Sequence, residues 1–445
     1  MDIKVVKFGG SSLADAKQFE KVAAIIKADP ARRYVVPSAP GKRFSGDEKV
    51  TDLLYQCYDH ASKGENIDEE FDKIIERYND IIRDLHLDFS LENEFAQIKN
   101  AFLFHAGRDY AASRGEYLNG KILAEYLGFP FIDAASVIFF NEDGSFNAKL
   151  TNTILSAKLR TLHNAVIPGF YGAMPNDTIR TFSRGGSDIT GSIVARAADA
   201  ELYENWTDVS GFLMADPRIV TNPKPIHVIT YHELRELSYM GAGVLHEDAI
   251  FPVRFAGIPI NIRNTNQPDA PGTMIVPDSK HPSYETKEIV TGIAGKKGFC
   301  TITLEKDCMN DEVGFGRRVL EIFEKHSICF EHLPSGIDTM CVILNKRDLE
   351  GVQDMVLNEI CQTVEPDTIS YDDDLALIAV VGRGMVKAKG TASRVFKAIA
   401  LADVNIRMID QGSSEQNIII GVSESGFETA MRAIYAEFAD DNVIR

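Results

Sequence analysis

Residues 4–13 read KVVKFGGSSL, an apolar run that ends in a lysine, two glycines and two serines. The run predicts a strand, and the residues after it predict the start of a helix. The glycine pair lets the backbone turn sharply and approach a ligand closely. Helix N-termini favour anions, so this stretch is either a plain strand-to-helix turn or a phosphate site. Lys7 precedes the glycines, which is the reverse of the order in a P-loop.

The same alternation of apolar runs and helical patterns continues to about residue 266. The further strand candidates are RRYVVPSA, FPFIDA, NAVIPGF, TIRTF, ELYENW and GIPINIRN. Strands that alternate with amphipathic helices indicate βαβ units and a largely parallel sheet. Ligands in such sheets bind beyond the carboxyl ends of the strands. We therefore expect the chemistry in the loops that follow the strands.

Two later features divide the chain. Residues from about 59 to 105 are acidic and helical, and we expect a helical insert there. A stretch rich in proline and charge, NTNQPDAPGTMIVPDSKHPSYETKE, predicts a linker. Beyond it VLEIFEKHSICFEHL aligns with VFKAIALADVNIRMI, each inside a strand, helix, strand, strand, helix pattern. The predicted domains are 1–280, and 281–445 with repeats at about 290–370 and 371–445.

Composition excludes several classes of protein. A chain of 445 residues predicts two or three domains, and 44% apolar with 25% charged residues is typical of a soluble globular protein. The formal net charge of −18 argues against nucleic-acid binding. No apolar run is long enough to span a membrane, and no leader pattern precedes the first strand. Six cysteines without a C-x-x-C pair indicate reduced thiols in a cytoplasmic protein.

Three more motifs carry candidate chemistry. TFSRGGSD, residues 181–188, has a second glycine pair beside an arginine, and its plain alternative is a helix cap by Ser187 or Asp188. NWTDVSGFLMADPRIV begins at residue 205 and contains a turn followed by a cation. SRGE, residues 113–116, is expected as a loop before a helix, with a cap as its alternative.

In this order, Lys-Phe-Gly-Gly-Ser-Ser, Ser-Arg-Gly-Glu, Ser-Arg-Gly-Gly-Ser-Asp and Thr-Asp-Val-x-Gly-x-x-x-x-Asp-Pro-Arg resemble the aspartokinases of the amino-acid kinase family. The tandem repeat resembles their paired ACT domains. The resemblance implies an α/β fold, with a three-layer αβα kinase domain around a largely parallel sheet and two α+β ferredoxin-like ACT domains. The chain leaves no room for a fused homoserine dehydrogenase, so it resembles the monofunctional type.

The resemblance implies that ATP phosphorylates L-aspartate to 4-phospho-L-aspartate, the first step towards lysine, threonine and methionine. Phosphoryl transfer needs positioning and positive charge, and a carboxylate nucleophile needs no general base. Lys7 and Asp188 are the implied catalytic residues. The implied phosphate and ATP contacts are Lys7, Gly9, Gly10, Ser11, Thr207, Asp208, Asp216 and Arg218. The implied substrate contacts are Ser38, Thr51, Glu116 for the ammonium, Arg184 for a carboxylate, and Ser187. Magnesium would arrive with ATP, with no metal site of the protein's own and no prosthetic group.

Three positions depart from the family pattern. Residues 42–50 form an extra loop before Thr51. Leu213 stands where many relatives have an aromatic residue near the nucleotide, and Gly243 where many have a lysine that reaches ATP. These changes predict a looser grip on ATP, or compensation by Lys42 or Arg43.

Paired ACT domains in the family bind an amino-acid end product, so the resemblance implies feedback inhibition by lysine, with threonine as a partner or substitute. The candidate effector residues are Met309, Phe315, Glu331, Ser335, Asn405, Gln416 and Asn417. ACT pairing also implies a homo-oligomer, either a dimer or a tetramer.

Two rival functions stay open at this stage. One is another amino-acid kinase, acting on glutamate, carbamate or a nucleoside monophosphate. The other is a non-catalytic amino-acid sensor that kept the kinase fold. Glu116 and Arg184 fit an α-amino dicarboxylate, which favours aspartate. The presence of Lys7 and Asp188 beside them argues against the sensor.

Overall fold

The computed structural model describes residues 2–183, 185–243, 251–278 and 288–440. The chain divides into two compact units. The first comprises Met1–Phe212, His227–Tyr231 and Val244–Lys280, and the second comprises Leu213–Ile226, His232–Gly243 and His281–Arg445. The second unit therefore includes two short segments from the range that the sequence assigns to the first domain.

The first unit alternates strands with helices. Its strands are β1 (Lys4–Phe8), β2 (Arg32–Pro37), β3 (Ala165–Val166), β4 (Tyr171–Ala173), β5 (Ile179–Thr181), β6 (Leu202–Thr207), β7 (Val228–Thr230), β8 (Ile260–Asn264) and β9 (Thr273–Val276). Its helices are α1 (Ala16–Lys27), α2 (Val50–Ser62), α3 (Asp68–Asp84), α4 (Glu92–Leu103), α5 (Arg108–Leu127), α6 (Ala148–Arg160), α7 (Gly186–Ala197) and α9 (Phe251–Ala256). Helix α8 (Tyr231–Tyr239) enters the second unit at His232.

Within the described residues, a seven-stranded sheet runs in the order β3-β2-β1-β6-β8-β9-β7. Strand β1 pairs in parallel with both β2 and β6, whereas β8 and β9 are antiparallel. The expected largely parallel α/β sheet is therefore confirmed. Because β1, β2 and β6 run the same way, the loops after Phe8, Pro37 and Thr207 leave the sheet at one edge.

Two strand candidates behave differently from the prediction. TIRTF forms β5, but β5 pairs with β4 in a separate antiparallel hairpin rather than in the parallel sheet. FPFIDA contributes only an isolated bridge between Phe131 and Val166, followed by a 3-10 turn. A short apolar run indicates burial, but it does not identify the strand that it pairs with.

Within the range predicted as a helical insert, the chain forms helices α3 and α4. Helices α3 and α4 bury an apolar face against α2 and α5, and the rings of Phe95 and Phe102 both pack edge-on against Phe71. This cluster continues to Val6 and Phe8 of β1. Because successive residues of a strand face opposite sides, Lys7 projects to the other face of the sheet.

The second unit contains two βαββαβ repeats. Its further elements are β10 (Gly292–Glu305), α10 (Phe315–Lys325), β11 (Phe330–His332), β12 (Thr339–Asn345), α11 (Gln353–Val364), β13 (Thr368–Val381), α12 (Thr391–Leu401), β14 (Met408–Asp410), β15 (Asn417–Val422) and α13 (Phe427–Ala439). They confirm the strand, helix, strand, strand, helix pattern of both repeats. The sheet order is β11-β12-β10-β13-β15-β14.

The two long strands each serve both repeats. Residues 299–305 of β10 pair with β12 and with the first half of β13. Residues 292–297 of β10 pair instead with the second half of β13, which also pairs with β15. The last strand of each ferredoxin-like unit is therefore half of a long strand, and the second repeat takes its last strand from residues that precede the first.

In the part of the chain that the structure describes, no helix is long and apolar enough to cross a membrane.

Candidate active site

The glycine turn after β1 packs against the loop after β2. A Cβ on Gly10 would lie 2.9 Å from the Ala39 carbonyl oxygen, and the Gly41 amide donates to the Gly10 carbonyl over 2.8 Å. Residues Gly10–Leu13 form a 3-10 turn, and Asp15 rather than Ser12 caps α1. Only glycine fits between the two loops at this distance.

The backbone amides of this turn differ in whether they are free to bind a ligand. The Gly9 amide donates to the Trp206 carbonyl over 3.0 Å, because the chain still pairs with β6 there. The expectation that Gly9 offers its amide to phosphate is therefore corrected. The amides of Gly10 and Ser11 open the 3-10 turn, where N–H groups have no partner inside the helix. They are the two donors that a phosphate oxygen can use.

Lys7 lies in a buried polar cluster with Asp188 and Asn205. Its Nζ is 2.6 Å from Asp188 Oδ1 and 3.4 Å from Asn205 Oδ1. The Asn205 Nδ2 donates to the same Asp188 oxygen over 2.8 Å. Helix α7 begins at Gly186 after Gly185, so Asp188 lies in its first turn and is not the N-cap. The lysine therefore has a fixed position at the end of its strand.

Asn205 is the member of this cluster that the sequence reading missed. It lies opposite Lys7 in the β1–β6 pairing and is 3% exposed. The signal for it was an amide next to Glu204 inside the strand candidate ELYENW. A buried polar side chain in a central strand needs a partner, and here the partners are the two candidate catalytic residues.

Glu116 lies in the middle of α5, so the expected loop or cap at SRGE is wrong. The residues of SRGE are buried within a helix that is covered on several sides, and such a helix lacks an amphipathic stripe. Glu116 Oε2 has no hydrogen-bond partner among the described residues. Burial raises the pKa of the Glu116 carboxyl to about 8, although a hydrogen bond from the Ala39 backbone acts in the opposite direction.

Asn119 lies one helical turn after Glu116 and was also missed. Its Nδ2 donates to the Ser38 carbonyl over 2.7 Å, whereas its Oδ1 has no partner among the described residues. Both side chains contact the loop after β2, and both retain a buried acceptor. A ligand with several N–H donors would satisfy both acceptors.

The remaining substrate candidates lie in the first unit at different elements. Ser38 follows β2, and its amide donates to the Phe8 carbonyl over 3.0 Å. Thr51 is the second residue of α2, and Ser187 lies in the first turn of α7. A Cβ on Gly169 would lie 2.7 Å from the Ser187 side chain, so this glycine allows the close approach. Arg184 lies outside the described residues.

The extra loop before Thr51 is held by a buried ion-pair network. Asp47 accepts from the Arg43 guanidinium at 2.9 Å and from Arg77 of α3 at 2.7 Å. Arg77 also donates to the Gly41 carbonyl over 2.5 Å. The hydrogen bonds from Arg43, together with the charge of Arg77, hold the pKa of Asp47 well below its usual range. Arg43 is therefore engaged within the loop, which argues against its predicted role as a substitute ATP contact.

The nucleotide candidates are divided between the two units. Thr207 and Asp208 end β6 in the first unit, where the threonine hydroxyl donates to the Asp208 carboxylate over 3.1 Å. Asp216 and Arg218 belong to the second unit and pair with each other at 2.6 Å. The Arg218 side chain is 85% exposed, so it is accessible to a ligand.

The segment that carries Asp216 and Arg218 packs within the second unit. The Ile293 amide of β10 donates to the Met214 carbonyl over 2.7 Å, and the Lys224 amide donates to the Tyr435 hydroxyl of α13 over 3.0 Å. Of the departures from the family, Leu213 lies in this segment and forms an isolated bridge with Pro225. Gly243 follows α8, and a Cβ there would meet no atom of the described residues within 4 Å.

The effector candidates lie in the second unit. Met309 and Phe315 are buried in the core of the first repeat, so any contact with an effector would use their backbone atoms. Glu331 of β11 accepts a hydrogen bond from the Tyr239 hydroxyl of α8. The Ser335 hydroxyl donates to the Leu333 carbonyl over 3.2 Å.

The second-repeat candidates are a separate group. Asn405 is exposed before β14. The Gln416 carbonyl accepts from the Gly382 amide over 2.9 Å. The Asn417 side-chain amide donates to Glu236 of α8 over 2.8 Å. Helix α8 thus contacts one candidate from each repeat.

Comparison with known proteins identifies the family. Residues 2–264 match the amino acid kinase family, and residues 378–438 match an ACT domain. Aspartokinase 3 of Bacillus subtilis is 41% identical over 453 residues, which cover 98% of this chain and 98% of the relative.

Two solved structures are similar over nearly the full length. An aspartate kinase from Clostridium acetobutylicum, described as an allosteric enzyme, has a TM-score of 0.90 at 51% identity and covers 98% of this chain and all of that one. The E. coli aspartokinase III in complex with lysine and aspartate has a TM-score of 0.73 at 25% identity, with 98% and 100% coverage. The ordered glycine motifs, the parallel sheet and the two ACT repeats agree with these relatives, and the chain belongs to the aspartokinases of the amino acid kinase family.

Proposed function

We propose that this enzyme transfers the γ-phosphoryl group of ATP to the β-carboxylate of L-aspartate, and that the residues described above divide the work. The observation that carries the assignment is the pair of buried, unpartnered acceptors on α5, Glu116 Oε2 and Asn119 Oδ1. A buried carboxylate is costly without a cationic partner. The α-ammonium of aspartate supplies the charge and three N–H donors.

Lys7 acts on the phosphoryl group. Negative charge is spread over the equatorial oxygens during phosphoryl transfer, and a fixed cation stabilises it. Asp188 and Asn205 hold the Lys7 ammonium at the end of β1, over 2.6 and 3.4 Å. The amides of Gly10 and Ser11 supply neutral donors at the same edge of the sheet. The substrate carboxylate is already ionised at neutral pH, so the transfer needs no general base.

The substrate is held by residues on three helices and on the loop after β2. Glu116 and Asn119 bind its ammonium, and Ser38, Thr51 and Ser187 donate hydrogen bonds to its carboxylates or to the transferred group. By family likeness, Arg184 binds a substrate carboxylate, because a guanidinium can donate two parallel hydrogen bonds to it.

By likeness to the family, we propose Thr207 and Asp208 of the first unit, and separately Asp216 and Arg218 of the second unit, as nucleotide contacts. In the described ranges, no three histidine, cysteine or carboxylate side chains converge on a metal position. Magnesium usually binds through phosphate oxygens and water, so we propose that it arrives with ATP. Gly243 stands where many relatives have a lysine that reaches ATP, so we propose that ATP binds more weakly here, unless another cation such as Lys42 compensates.

The ACT repeats act as an amino-acid sensor, for which we propose lysine as the effector and threonine as its partner or substitute. The support is Glu331, whose carboxylate suits a lysine ammonium, and the lysine bound to the E. coli aspartokinase III. Inhibition requires that lysine bind an inactive state more tightly than the active one. The enzyme assembles as a dimer or tetramer through its ACT repeats and acts in the cytoplasm.

One assay tests the proposed reaction against its rivals. The purified enzyme is incubated with ATP, magnesium, hydroxylamine and one carboxylic acid at a time, so that an acyl phosphate is trapped as a hydroxamate. We expect product with L-aspartate. Product with glutamate or another acid but not with aspartate would transfer the assignment to a different amino-acid kinase. Absence of product with any acid would favour the non-catalytic sensor.

A further inference from the structure

Besides Lys7, the first unit contains another group of cationic side chains, which the proposed mechanism does not use. They line a cavity of about 390 Å³ between the N-terminus of α5, the start of α2 and the β4–β5 hairpin. Its walls include Tyr55, Arg108, Arg180 and Ser183. Its volume is that of a small-molecule site. The wall is mainly polar, so an uncharged apolar ligand does not fit it.

The two arginines are held in place by different means. The Arg108 guanidinium lies over the Tyr55 ring, 4.2 Å from its centroid. Among the described residues it has no hydrogen-bond or ion-pair partner. Arg180 pairs with Asp109 at 3.3 Å, and the Thr181 hydroxyl donates to the other oxygen of Asp109 over 2.8 Å. A guanidinium has five N–H donors, so most donors of the two arginines stay free for an anion.

This cavity adjoins the proposed substrate residues. Tyr55 lies one turn after Thr51 on α2, so both project from the same helix face. Ser183 lines the cavity and immediately precedes Arg184. Burial raises the pKa of the Tyr55 phenol, and the charges of Arg108, Asp109 and Glu116 all act on it. Helices α5 and α2 pack closely at Gly115, where a Cβ would lie 3.4 Å from Leu54 and 3.8 Å from Val50, so Glu116 lies beside the helix that carries Tyr55.

The net charge of the whole chain indicates a role for this cavity. The formal net charge is −18, and both substrates are anions. A strongly negative protein repels anionic ligands at a distance, and a local positive cleft reverses that repulsion. Arg108 and Arg180 together outweigh the single charge of Asp109.

We propose that Arg108 and Arg180 form an outer anion site that captures small dicarboxylates and delivers L-aspartate to Glu116. The proposal rests on the proposed function, because it takes Glu116 as the ammonium site. The class of ligand is a small carboxylate dianion, recognised by its two negative charges and not by its ammonium. The inner site selects the amino acid, and the outer site raises the concentration of anions beside it.

The test uses succinate, a dianion that lacks the ammonium, as an inhibitor competing with aspartate. We compare the wild type with Arg108→Ala, Arg108→Lys, Arg180→Gln and Glu116→Gln. The matched control is Arg83→Ala, because Arg83 of α3 is 69% exposed and pairs only with surface carboxylates in the described structure. It removes one positive charge elsewhere in the same unit.

We expect Arg108→Ala and Arg180→Gln to raise both the succinate inhibition constant and the aspartate KM by about three- to fivefold, the loss typical of one exposed ionic contact. Their kcat and their KM for ATP stay at the wild-type values, and their kcat/KM for aspartate depends less on salt. Arg108→Lys retains part of the effect. Glu116→Gln raises the aspartate KM without changing succinate inhibition.

Other outcomes separate the two claims. If both arginine variants match Arg83→Ala, or if they lower the melting temperature and alter every constant together, the outer site is wrong. If Glu116→Gln leaves the aspartate KM unchanged, the proposed ammonium site is wrong. The claim that the outer site delivers aspartate to Glu116 is then wrong as well.

Discussion

At the scale of the residue, Glu116 governs how the site depends on pH. Burial raises the pKa of its carboxyl to about 8, against 4.5 when exposed. The folded state therefore favours the protonated form. Its contribution to stability is complete below pH 4.5 and is lost as the pH rises towards 8. Aspartate binding favours the ionised form, because its ammonium pairs with the carboxylate.

We predict that the ligand-free wild type loses thermal stability between pH 5 and pH 8 relative to Glu116→Gln. The glutamine carries no titrating group, so the variant lacks this slope. In the same range the wild-type KM for aspartate falls as the pH rises. Melting temperatures and KM values measured across the range test both trends. Parallel stability curves for the two proteins would show that Glu116 is not buried in its protonated form.

Asn205 supports a second residue-scale prediction. Its side chain contacts both Lys7 and Asp188, so Asn205→Ala removes one hydrogen bond from each of these charged groups. We expect kcat to fall about five- to tenfold, the size of one lost hydrogen bond, with the KM for aspartate and ATP unchanged. Asn261→Ala is the matched control, since Asn261 is a buried amide in the adjacent strand β8. Equal kcat losses in both variants would indicate a general defect of the sheet.

At the scale of the element, the segment 213–226 links the nucleotide candidates to the C-terminal helix α13. The Tyr435 hydroxyl accepts from the Lys224 amide over 3.0 Å, and Arg432 donates to the Ile219 carbonyl over 3.5 Å. Asp216 and Arg218 lie between Ile219 and Met214, whose carbonyl accepts from the Ile293 amide over 2.7 Å. The segment is therefore positioned by other residues of the second unit.

We predict that Tyr435→Phe raises the KM for ATP about threefold to fivefold, because one hydrogen bond that positions the segment is lost. The KM for aspartate stays unchanged, since the substrate candidates lie on other elements. Initial rates at varied ATP and aspartate provide the measurement, with Tyr126→Phe of α5 as a control. An increase in the aspartate KM instead would contradict the assignment of this segment to the nucleotide.

The elements also show how much of the structure can be predicted from the sequence alone. The periodic patterns predicted the parallel sheet, because it depends on local spacing of apolar residues. The internal repeat was visible by aligning the chain with itself, and the resemblance to the family identified it as a pair of ACT domains. SRGE was misread because α5 is covered on several sides and has no polar face to reveal it. Asn119 and Asn205 were missed because their partners are 81 and 198 residues away in the chain. Such distant pairings leave no local pattern.

At the scale of the whole molecule, the sequence repeat did not predict that the two repeats share strands. The second repeat completes its sheet with residues 292–297, which precede the first repeat. The two repeats therefore form one continuous six-stranded sheet. Strands β10 and β13 belong to both repeats, so neither repeat has a complete sheet without the other.

We predict opposite effects on lysine inhibition from the two residues of the Tyr239–Glu331 contact. Glu331→Ala raises the lysine concentration for half-inhibition about tenfold or more, since a charge-assisted contact is lost. Tyr239→Phe lowers it, because the phenol no longer competes for the carboxylate. Rates without lysine serve as the control and stay unchanged. Absence of lysine inhibition in the wild type, or an equal shift in both variants, would exclude this effector site.

The most direct test of the central claim is hydroxamate trapping with L-aspartate for the wild type, Lys7→Ala and Glu116→Gln side by side. We predict that the wild type forms aspartyl hydroxamate only with ATP and magnesium. Lys7→Ala loses most of its kcat at a similar aspartate KM, whereas Glu116→Gln raises that KM. Failure of the wild type to form the product, or wild-type constants in both variants, would contradict the account.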